Sequence, residues 1–440
     1  MKKITSYIRW TSYIFLAVVL SLQSCSFDDE GNLNDPVIGD LGSNASKSQL
    51  NAVMVGTLSA MRDRIDTYLD DVGVIGREYY RFSGADPRFT SDLLGAGEAV
   101  LDNNTFYINN PWQSRYRTVR NTNILIDGVN NTNLITAAEA KGYLGVAKTL
   151  QANELLMNLN LTDENGIRIN VKDPLSLGPI VNKTDALAAI ASLLNEADTD
   201  LSAAGDVFAF NLGAGFDGFN TPANFRKVNR ALAARVAAYR GQWTEAKSNL
   251  EASFLDKTGN WMAGAYHIFS GSTNDQLNKA FYPLNNTGEL RATQPSFISN
   301  AEAGDTRLAK APQRAEEAAQ SELKSSYDVW VYTSNAAPIA IIRNEELALL
   351  YAETMIHLND NNEAVNTLNT IRVSHGLGAY SGGVTTDELI NEMLKQRRYS
   401  LFAEGHRWID MRRYGKLGEL PIDRAEDDVW SAFPIPITEN

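Results

Sequence analysis

Apolar residues recur three and four positions apart along much of the chain. In residues 46–69 they include Leu50, Met54 and Leu58, which would share one face of a helix. The same spacing returns in residues 139–158, 185–201, 226–254, 343–375 and 386–414. Alternation of apolar and polar residues, which is typical of strands, is sparse. The pattern therefore predicts a mainly all-α fold with irregular insertions.

The N-terminal segment has the composition of an export signal. Three basic residues, the last of them Arg9, precede an apolar run at 13–20 that is too short to span a bilayer as a stable helix. Cys25 is the single cysteine of the chain, so an internal disulfide is excluded. Residues 22–25 (LQSC) resemble the lipobox of bacterial lipoproteins, in which cleavage before the cysteine is followed by its acylation. The alternative is an ordinary signal peptide with a chance cysteine nearby.

The chain divides into a lipoprotein signal peptide (1–24), a flexible tether (25–45) and a single domain (46–440). The tether is rich in Asp, Gly, Asn and Ser, which favours a solvated chain. Its acidic residues just after Cys25 resemble a surface-export signal of some Gram-negative lipoproteins. Loss of residues 1–24 removes three positive charges and changes the formal charge from −13 to −16. This charge argues against a nucleic-acid partner, because phosphate binding needs a basic face.

Two segments of the chain resemble each other. Residues 233–246 can be laid on residues 351–364 so that Ala234 matches Ala352 and both segments close on a Glu-Ala pair. Each segment is typical of a helix, a short polar turn and a second helix, and resembles the tetratricopeptide hairpin. Because alanine and leucine at helical spacing are core material, we expect these residues to pack rather than to bind a ligand.

The stretch QRRYSLFAEGHRWIDMRRYG, residues 396–415, is dense in charge. Leu401 and Trp408 lie seven positions apart, which predicts one continuous helix with Gly405 on its apolar face. Glu404, Arg407, Asp410 and Arg413 follow at intervals of three, a spacing that allows successive ion pairs. The stretch is therefore interpreted as a helix held by its own charges.

Glu404 and Asp410 could also be the two acids of a glycosidase. On one helix they would lie roughly 9 Å apart along the axis and about 120° apart around it, with an arginine between them. Paired catalytic acids must face one cleft. Neighbouring arginines would also hold both pKa values low, which is unsuitable for a general acid. The sequence therefore favours a structural role for both carboxylates.

The same stretch, with the FPIP that follows it at 433–436, resembles the C-terminal signature of the SusD/RagB family. Further similarity lies in Tyr116, in residues 121–123, and in the hairpin from Tyr351 to Arg372. The matching elements of the C-terminal signature are Arg397, Arg398, Leu401, Glu404, Gly405, Arg407, Trp408, Asp410, Met411, Arg413, Gly415, Phe433, Pro434, Ile435 and Pro436.

The resemblance implies a SusD-like fold, in which tetratricopeptide-like hairpins pack against an irregular, loop-rich ligand-binding region. It also implies a lipid-anchored protein at the cell surface, in the outer membrane, that captures nutrients, mostly glycans. Its partner would be a SusC-like TonB-dependent transporter. Such proteins bind rather than catalyse and need no cofactor. In agreement, no metal-ligand spacing links the four histidines, and no G-x-S-x-G, P-loop or H-E-x-x-H motif occurs.

A neutral oligosaccharide or polysaccharide needs exposed aromatic rings with polar side chains beside them. Trp261 is the strongest candidate, because glycine, alanine and asparagine around it indicate a loop. Trp330 and Tyr332 are candidates on a possible short strand, whereas Trp112, Trp243 and Trp408 lie in helical patterns and are expected to be structural. The other candidate ligand-binding residues are Tyr266, Asn274, Tyr79, Tyr80, Arg81 and Asp86.

Two other functions are weighed against glycan capture. Some members of the SusD/RagB family capture peptides, which would require groups that pair with a peptide backbone and fewer stacking rings. A hydrolase would require two convergent acids, and the sequence does not offer such a pair.

Overall fold

The computed structural model describes residues 44–439. The predicted signal peptide, Cys25 and the tether up to residue 43 lie outside the described residues. Helices dominate the fold, as predicted. They are α1 (Lys47–Ala60), α2 (Ile65–Ile75), α3 (Phe106–Asn130), α4 (Ala137–Thr162), α5 (Lys183–Ser202), α6 (Pro222–Tyr239), α7 (Trp243–Glu251), α8 (Ser296–Ser299), α9 (Asn344–His357), α10 (Asn361–Ser374), α11 (Thr386–Ser400) and α12 (Arg407–Arg413).

The strands are short and form antiparallel pairs. β1 pairs with β5, β2 with β3, β4 with β8, and β6 with β7. In the β4–β8 pair, Gly264 faces Arg343 and His267 faces Ile339, with a bulge between Ala265 and Tyr266. The strands are β1 (Tyr79–Ser83), β2 (Ile167–Arg168), β3 (Ile180–Val181), β4 (Gly264–His267), β5 (Glu289–Thr293), β6 (Gln313–Gln320), β7 (Leu323–Tyr327) and β8 (Ile339–Arg343).

Local sequence explains where several helices begin. Ser46, Thr136 and Thr385 each accept a hydrogen bond from the backbone three residues later, and a Gln or Glu side chain at that position bonds back. Such a capping box satisfies backbone N–H groups that the first turn leaves free. The starts of α1, α4 and α11 are therefore encoded locally.

Consecutive helices pack against one another in chain order from α3 to α7, and α9 packs against α6, α7, α10 and α11. The two predicted hairpins are confirmed. α6 and α7 are separated by residues 240–242, and α9 and α10 by residues 358–360. Leu250, Leu368 and Ile371 are fully buried between them, so these repeats form the packed core.

A second core cluster lies around α2, β1, β5 and the C-terminal segment. Trp408 and Phe433 meet edge to face there, with ring centroids 5.8 Å apart. Trp112 is buried in the larger helical cluster, and Trp243 stacks on His357. Among residues 44–439, no helix has both the length and the apolar character needed to cross a bilayer.

The prediction of one helix over 386–414 is wrong. α11 ends at Ser400, residues 401–406 form a turn, and α12 begins at Arg407. Ala403 and Gly405 both have left-handed backbone, with φ of 59° and 84°. A Cβ on Gly405 would lie 3.3 Å from side-chain atoms of both Leu69 and Val72. Gly405 thus serves a tight turn packed on α2, rather than the interior of a helix.

The predicted ladder of ion pairs is also largely wrong, because the turn separates Glu404 from the residues that follow. Glu404 accepts two hydrogen bonds of 2.8 Å from Arg343 at the end of β8. Asp410 instead accepts one of 2.6 Å from Arg397 on α11. The contact between Asp410 and Arg413, at 3.5 Å, is the one pair that follows the predicted spacing.

The pKa of Asp410 differs from the prediction as well. Burial raises the pKa of this carboxyl, and Arg397 and Arg413 only partly offset that effect. Burial likewise lowers the pKa of the Arg407 guanidinium to about 10. Glu404 and Asp410 contact different arginines on different elements, so the segment connects parts of the scaffold to one another.

Replacement of Gly405 by alanine should lower the free energy of unfolding by about 1–3 kcal/mol, because alanine is strained at this backbone angle. The control is Gly56→Ala, in the exposed middle of α1, where an added Cβ meets nothing within 4 Å. That change should stabilise the protein by about 0.4–1 kcal/mol. Urea unfolding measures the free energy of unfolding of both variants. If Gly405→Ala stabilised the protein, that result would contradict the turn and favour one continuous helix.

Replacement of Arg397 by leucine should cost about 3–5 kcal/mol, because it leaves the buried Asp410 without its hydrogen-bonded cation. The control is Lys247→Met in the exposed pair of Lys247 with Glu251, where the side chain of Lys247 is 43% exposed. The control should change stability by less than about 0.5 kcal/mol. Similar losses in the two variants, measured by denaturant unfolding, would contradict a bracing role for Arg397.

Candidate functional site

A cleft of about 510 Å³ opens where three distant parts of the chain meet. Its sides are the C-terminal end of α1, the turn at 211–216 and the segment at 268–277 that follows β4, and its floor includes β4. We call it the α1–β4 cleft. This volume lies within the range of small-ligand pockets.

Glycines shape the wall formed by the turn at 211–216. Gly213 has a left-handed φ of 75°, and its N–H donates to the Asn211 Oδ1 atom at 2.7 Å. A Cβ on Gly215 would lie 2.1 Å from the carbonyl oxygen of Tyr266. Only glycine permits this close approach, so the wall is seated directly on β4.

Tyr266 and His267 of β4 form part of the floor. Tyr266 is half-buried, and its hydroxyl donates to the carbonyl oxygen of Met262 at 2.5 Å. His267 is buried, and burial, with smaller effects of Arg115 and Arg62, lowers its pKa to about 3. The floor therefore carries no charge at neutral pH.

The far wall, residues 268–277, is polar and exposed in its middle part, residues 271–275. Asn274 has a left-handed φ of 71° and lines the cleft. Asp275 accepts hydrogen bonds from Ser270 Oγ at 2.7 Å and from Arg62 at 2.6 Å. These bonds, with that of Ser270 the larger cause, hold the pKa of the Asp275 carboxyl below its ordinary value.

The lining suits binding better than hydrolysis. It combines apolar surface, such as Val55 and Ile268, with the amides of Asn211 and Asn274. Asp275 is the one carboxylate among the lining residues, whereas glycoside hydrolysis ordinarily needs two. In residues 44–439, no group of three or more His, Cys, Asp or Glu side chains is arranged to hold a metal ion.

Of the candidate ligand residues, Tyr266 and Asn274 are brought together in the α1–β4 cleft. Trp261 lies outside its lining, half-buried just before β4, and its indole N–H donates to Ser374 Oγ at 2.8 Å. Trp330 is also half-buried, with its ring centroid 6.0 Å from that of Phe281. It does not lie on a strand, because β7 ends at Tyr327.

Three of the candidate rings are buried in the core instead. Tyr79 is 1% exposed and donates to the carbonyl oxygen of Leu69 at 2.8 Å. Tyr80 is 2% exposed, and the buried Tyr332 donates to the carbonyl oxygen of Ala403 at 3.2 Å. These rings present no open face in this structure. Because aromatic side chains bury large apolar areas, a loop-like sequence alone does not place them at the surface.

The polar candidates beside those rings are engaged by the protein itself. Arg81 is buried and bonds Glu289 at 2.5 Å and the hydroxyl of Tyr282 at 2.6 Å. Asp86 accepts from the backbone N–H of Arg88 at 3.0 Å and pairs with its guanidinium. Neither side chain lines the α1–β4 cleft.

Sequence reasoning missed Arg62, Asn211 and Gly215. Arg62 lies more than 200 positions from its partner Asp275, so no local spacing could reveal the pair. The NLGAG run at 211–215 did carry a signal, because clustered glycines between helices indicate a turn with close backbone approach.

A second groove, of about 430 Å³, lies between the turn at 285–288 and β6. Phe82 and Leu290 lie beneath it, and Glu316 and Glu317 stand at its edge. Phe82 is its one aromatic lining residue and is 2% exposed. The second groove therefore lacks an accessible ring such as the half-buried Tyr266 of the α1–β4 cleft.

Comparison with known proteins agrees with this architecture. Residues 232–433 match the model of the SusD family. SusD-like protein P38 of Formosa agariphila is 26% identical over 216 residues, which is 40% of this chain and 42% of that protein. The chain thus aligns with under half of the length of this curated relative.

Solved structures extend the likeness across the domain. A SusD superfamily protein from Bacteroides vulgatus is 16% identical to this chain, with a TM-score of 0.66. The alignment covers 90% of this chain and 96% of that protein. A second structure is that of surface glycan-binding protein A from Bacteroides thetaiotaomicron in complex with laminarihexaose. It is 11% identical to this chain, with a TM-score of 0.69, and the alignment covers 90% of this chain and 97% of that protein. At these identities the likeness shows the fold.

The helical core with a cleft on its irregular side therefore belongs to the SusD-like class of folds. Residues 232–433, which contain most of the C-terminal signature, match the SusD family over somewhat less than half of the chain.

His267 should make the protein less stable in acid. Its pKa is about 3 when folded and 6.5 when exposed. Between these values the unfolded chain binds a proton that the folded protein does not, so the free energy of unfolding decreases as pH falls. His267→Asn should remove this contribution, which amounts to about 1.4 kcal/mol per pH unit in the acid part of that range. Equal slopes in the two proteins, from urea unfolding across that range, would contradict a buried neutral histidine.

Proposed function

We propose that this protein is a surface-exposed, glycan-binding lipoprotein that takes up a neutral oligosaccharide or polysaccharide in the α1–β4 cleft. It would pass the glycan to a SusC-like TonB-dependent transporter of the outer membrane. The observation that carries this proposal is the cleft lining, where Tyr266 on the uncharged floor lies with Asn211 and Asn274 of the walls.

This lining matches the chemistry of a neutral sugar. A sugar ring has apolar C–H faces, which pack on an aromatic ring, and hydroxyl groups, which both donate and accept hydrogen bonds. Side-chain amides also do both, whereas a carboxylate only accepts. The cleft combines the two kinds of surface within one small volume.

Charge favours a neutral ligand over an acidic polysaccharide. The chain has a formal charge of −13, which would become −16 after loss of the signal peptide. Repulsion of a polyanion acts over roughly 10 Å at moderate salt. The arginine in the cleft, Arg62, already pairs with Asp275, so it offers no free cation to an acidic sugar.

The same lining supports capture without cleavage. Asp275 is its single carboxylate, and Glu404 and Asp410 contact Arg343 and Arg397. The named relatives support binding, since one is a surface glycan-binding protein in complex with laminarihexaose and another is a laminarin-binding SusD-like protein.

Attachment to the outer membrane would come from acylation of Cys25. A single acyl chain binds a bilayer reversibly, whereas two or more anchor it stably. A flexible tether of about 20 residues would have a root-mean-square reach of roughly 25 Å. The folded domain would thus be able to meet a transporter beside it in the membrane.

Tyr266→Leu and Asn274→Gly should each weaken glycan binding by about two- to tenfold, because they remove a ring face and a hydrogen-bonding amide. Glycine keeps the left-handed backbone of residue 274 unstrained. The matched control is Asn285→Gly, at a left-handed asparagine of the second groove, and it should leave affinity unchanged. Calorimetry on the full-length chain, in a detergent without a sugar head group, measures all three.

The ligand panel should contain neutral oligosaccharides and oligopeptides of matched length. Binding of peptides alone would favour the peptide-capturing alternative. Release of reducing ends from an oligosaccharide would favour the hydrolase hypothesis. If Asn285→Gly were the one variant that lost binding, the result would place the ligand site in the second groove. Trp261→Ala provides the remaining comparison: if it abolishes binding while Tyr266→Leu does not, the site lies at Trp261.

A further inference from the structure

The segment at 268–277 is held firmly at its two ends. β4 pairs with β8 before it, and the buried Asn278 follows it. The backbone N–H of Asn278 donates to Asn335 and its side chain donates to Ala337, both at 2.7 Å. The ends of the segment are therefore fixed to the scaffold.

Between these ends the segment bonds mostly to itself. Ser270 donates to Asp275 at 2.7 Å, and the backbone N–H of Ser270 donates to Gln276 at 3.1 Å. Residues 271–275 are all exposed. Segments with exposed backbone and few buried contacts lie at the low end of local stability.

Hydrogen bonds join this segment to Ser59 in the last turn of α1 and to Arg62, which follows α1. Arg62 donates to the carbonyl oxygen of Ile268 at 2.7 Å and to Asp275 Oδ1 at 2.6 Å. Gln276 donates to the carbonyl oxygen of Ser59 at 3.0 Å. The guanidinium also lies 6.0 Å from the ring centroid of Phe269, the buried residue of the segment.

Arg62, which follows α1, thus contacts the segment near both of its ends, at Ile268 and at Asp275. Asn274 lies next to Asp275 and lines the cleft. A displacement of Asp275 would therefore carry Asn274 away from a bound ligand. The side chains of Arg62 and Asp275 are 16% and 29% exposed, so water and salt reach the pair.

We propose that Arg62 is a positioning residue of the α1–β4 cleft: its ion pair with Asp275 holds the 268–277 segment against the end of α1 and keeps Asn274 in place for the ligand. This inference rests on the proposed function, because it assigns the pair a role in capture at the same site. Its consequence is that binding of an uncharged sugar depends on salt. The sugar has no charge to screen, so the salt dependence comes from the protein.

The first experiment needs no ligand. In hydrogen–deuterium exchange on the full-length chain in detergent, Arg62→Gln should speed exchange of amides 270–277 by about two- to tenfold, because the segment separates from the end of α1 more often. Amides of β4 and α6 should be unchanged, which shows that the variant is folded. Arg62→Lys, which keeps the charge but not the forked geometry, should give an intermediate rate. Unchanged exchange in Arg62→Gln would overturn the proposal.

The second experiment uses laminarihexaose as an uncharged probe. Raising sodium chloride from about 0.05 M to about 1 M should weaken its binding to the wild type by about two- to fivefold, the range expected for a partly exposed ion pair. Arg62→Gln and Asp275→Asn should bind more weakly at low salt and show no salt dependence. Equal salt dependence in wild type and variants would overturn the positioning role.

The two experiments separate this inference from the proposed function. If neither laminarihexaose nor any other neutral oligosaccharide binds, the proposed function fails, and the role of Arg62 in ligand capture fails with it. The exchange measurement still decides whether Arg62 holds the segment. If sugars bind and exchange is unchanged, the inference fails by itself.

Discussion

The buried carboxylates of α9 are the constraint on which the rest of the structure depends. This central helix carries Glu345, Glu346 and Glu353, all almost fully buried. Burial alone would raise the pKa of Glu346, but Arg235 and His406 lower it to about 2. Removing one partner from such a pair leaves a charge without compensation, so each acid requires its arginine. These arginines are Arg343 on β8, Arg235 on α6 and Arg413 on α12.

The same network also connects the cleft floor to the charged core. Arg343 bonds both Glu345 and Glu404, and its strand, β8, is the partner of β4. A Cβ on Gly264 would lie 2.4 Å from the carbonyl oxygen of Ile342, so the two strands meet at close range. The floor is thus tied to the charged core, whereas the 268–277 wall is held against the end of α1 by partly exposed groups. A binding protein benefits from this contrast, because ligand loops need lower local stability than their scaffold.

Helices and hairpins could be predicted well, because their signals are local. The three- and four-residue spacing and capping pairs such as Thr385 with Glu388 are readable in any short window. The break at 401–406 was missed because Leu401 and Trp408 preserve the helical interval across a turn. Among the predicted ligand residues, which were sought outside the repeat hairpins, Tyr266 and Asn274 line one cleft. The burial of Tyr79 and Tyr332 was not predicted, since ring burial depends on which distant elements cover the ring.

The sequence by itself determined the family signature, the helical class of the fold and the small apolar residues on which its hairpins pack, because these depend on neighbours within a few turns. Tertiary structure alone decided which charges pair and where a cleft opens. Arg62 and Asp275 meet across 213 positions, and Arg343 and Glu404 across 61. Such contacts arise when hydrophobic burial brings distant segments together, and a buried charge then takes whichever partner satisfies it.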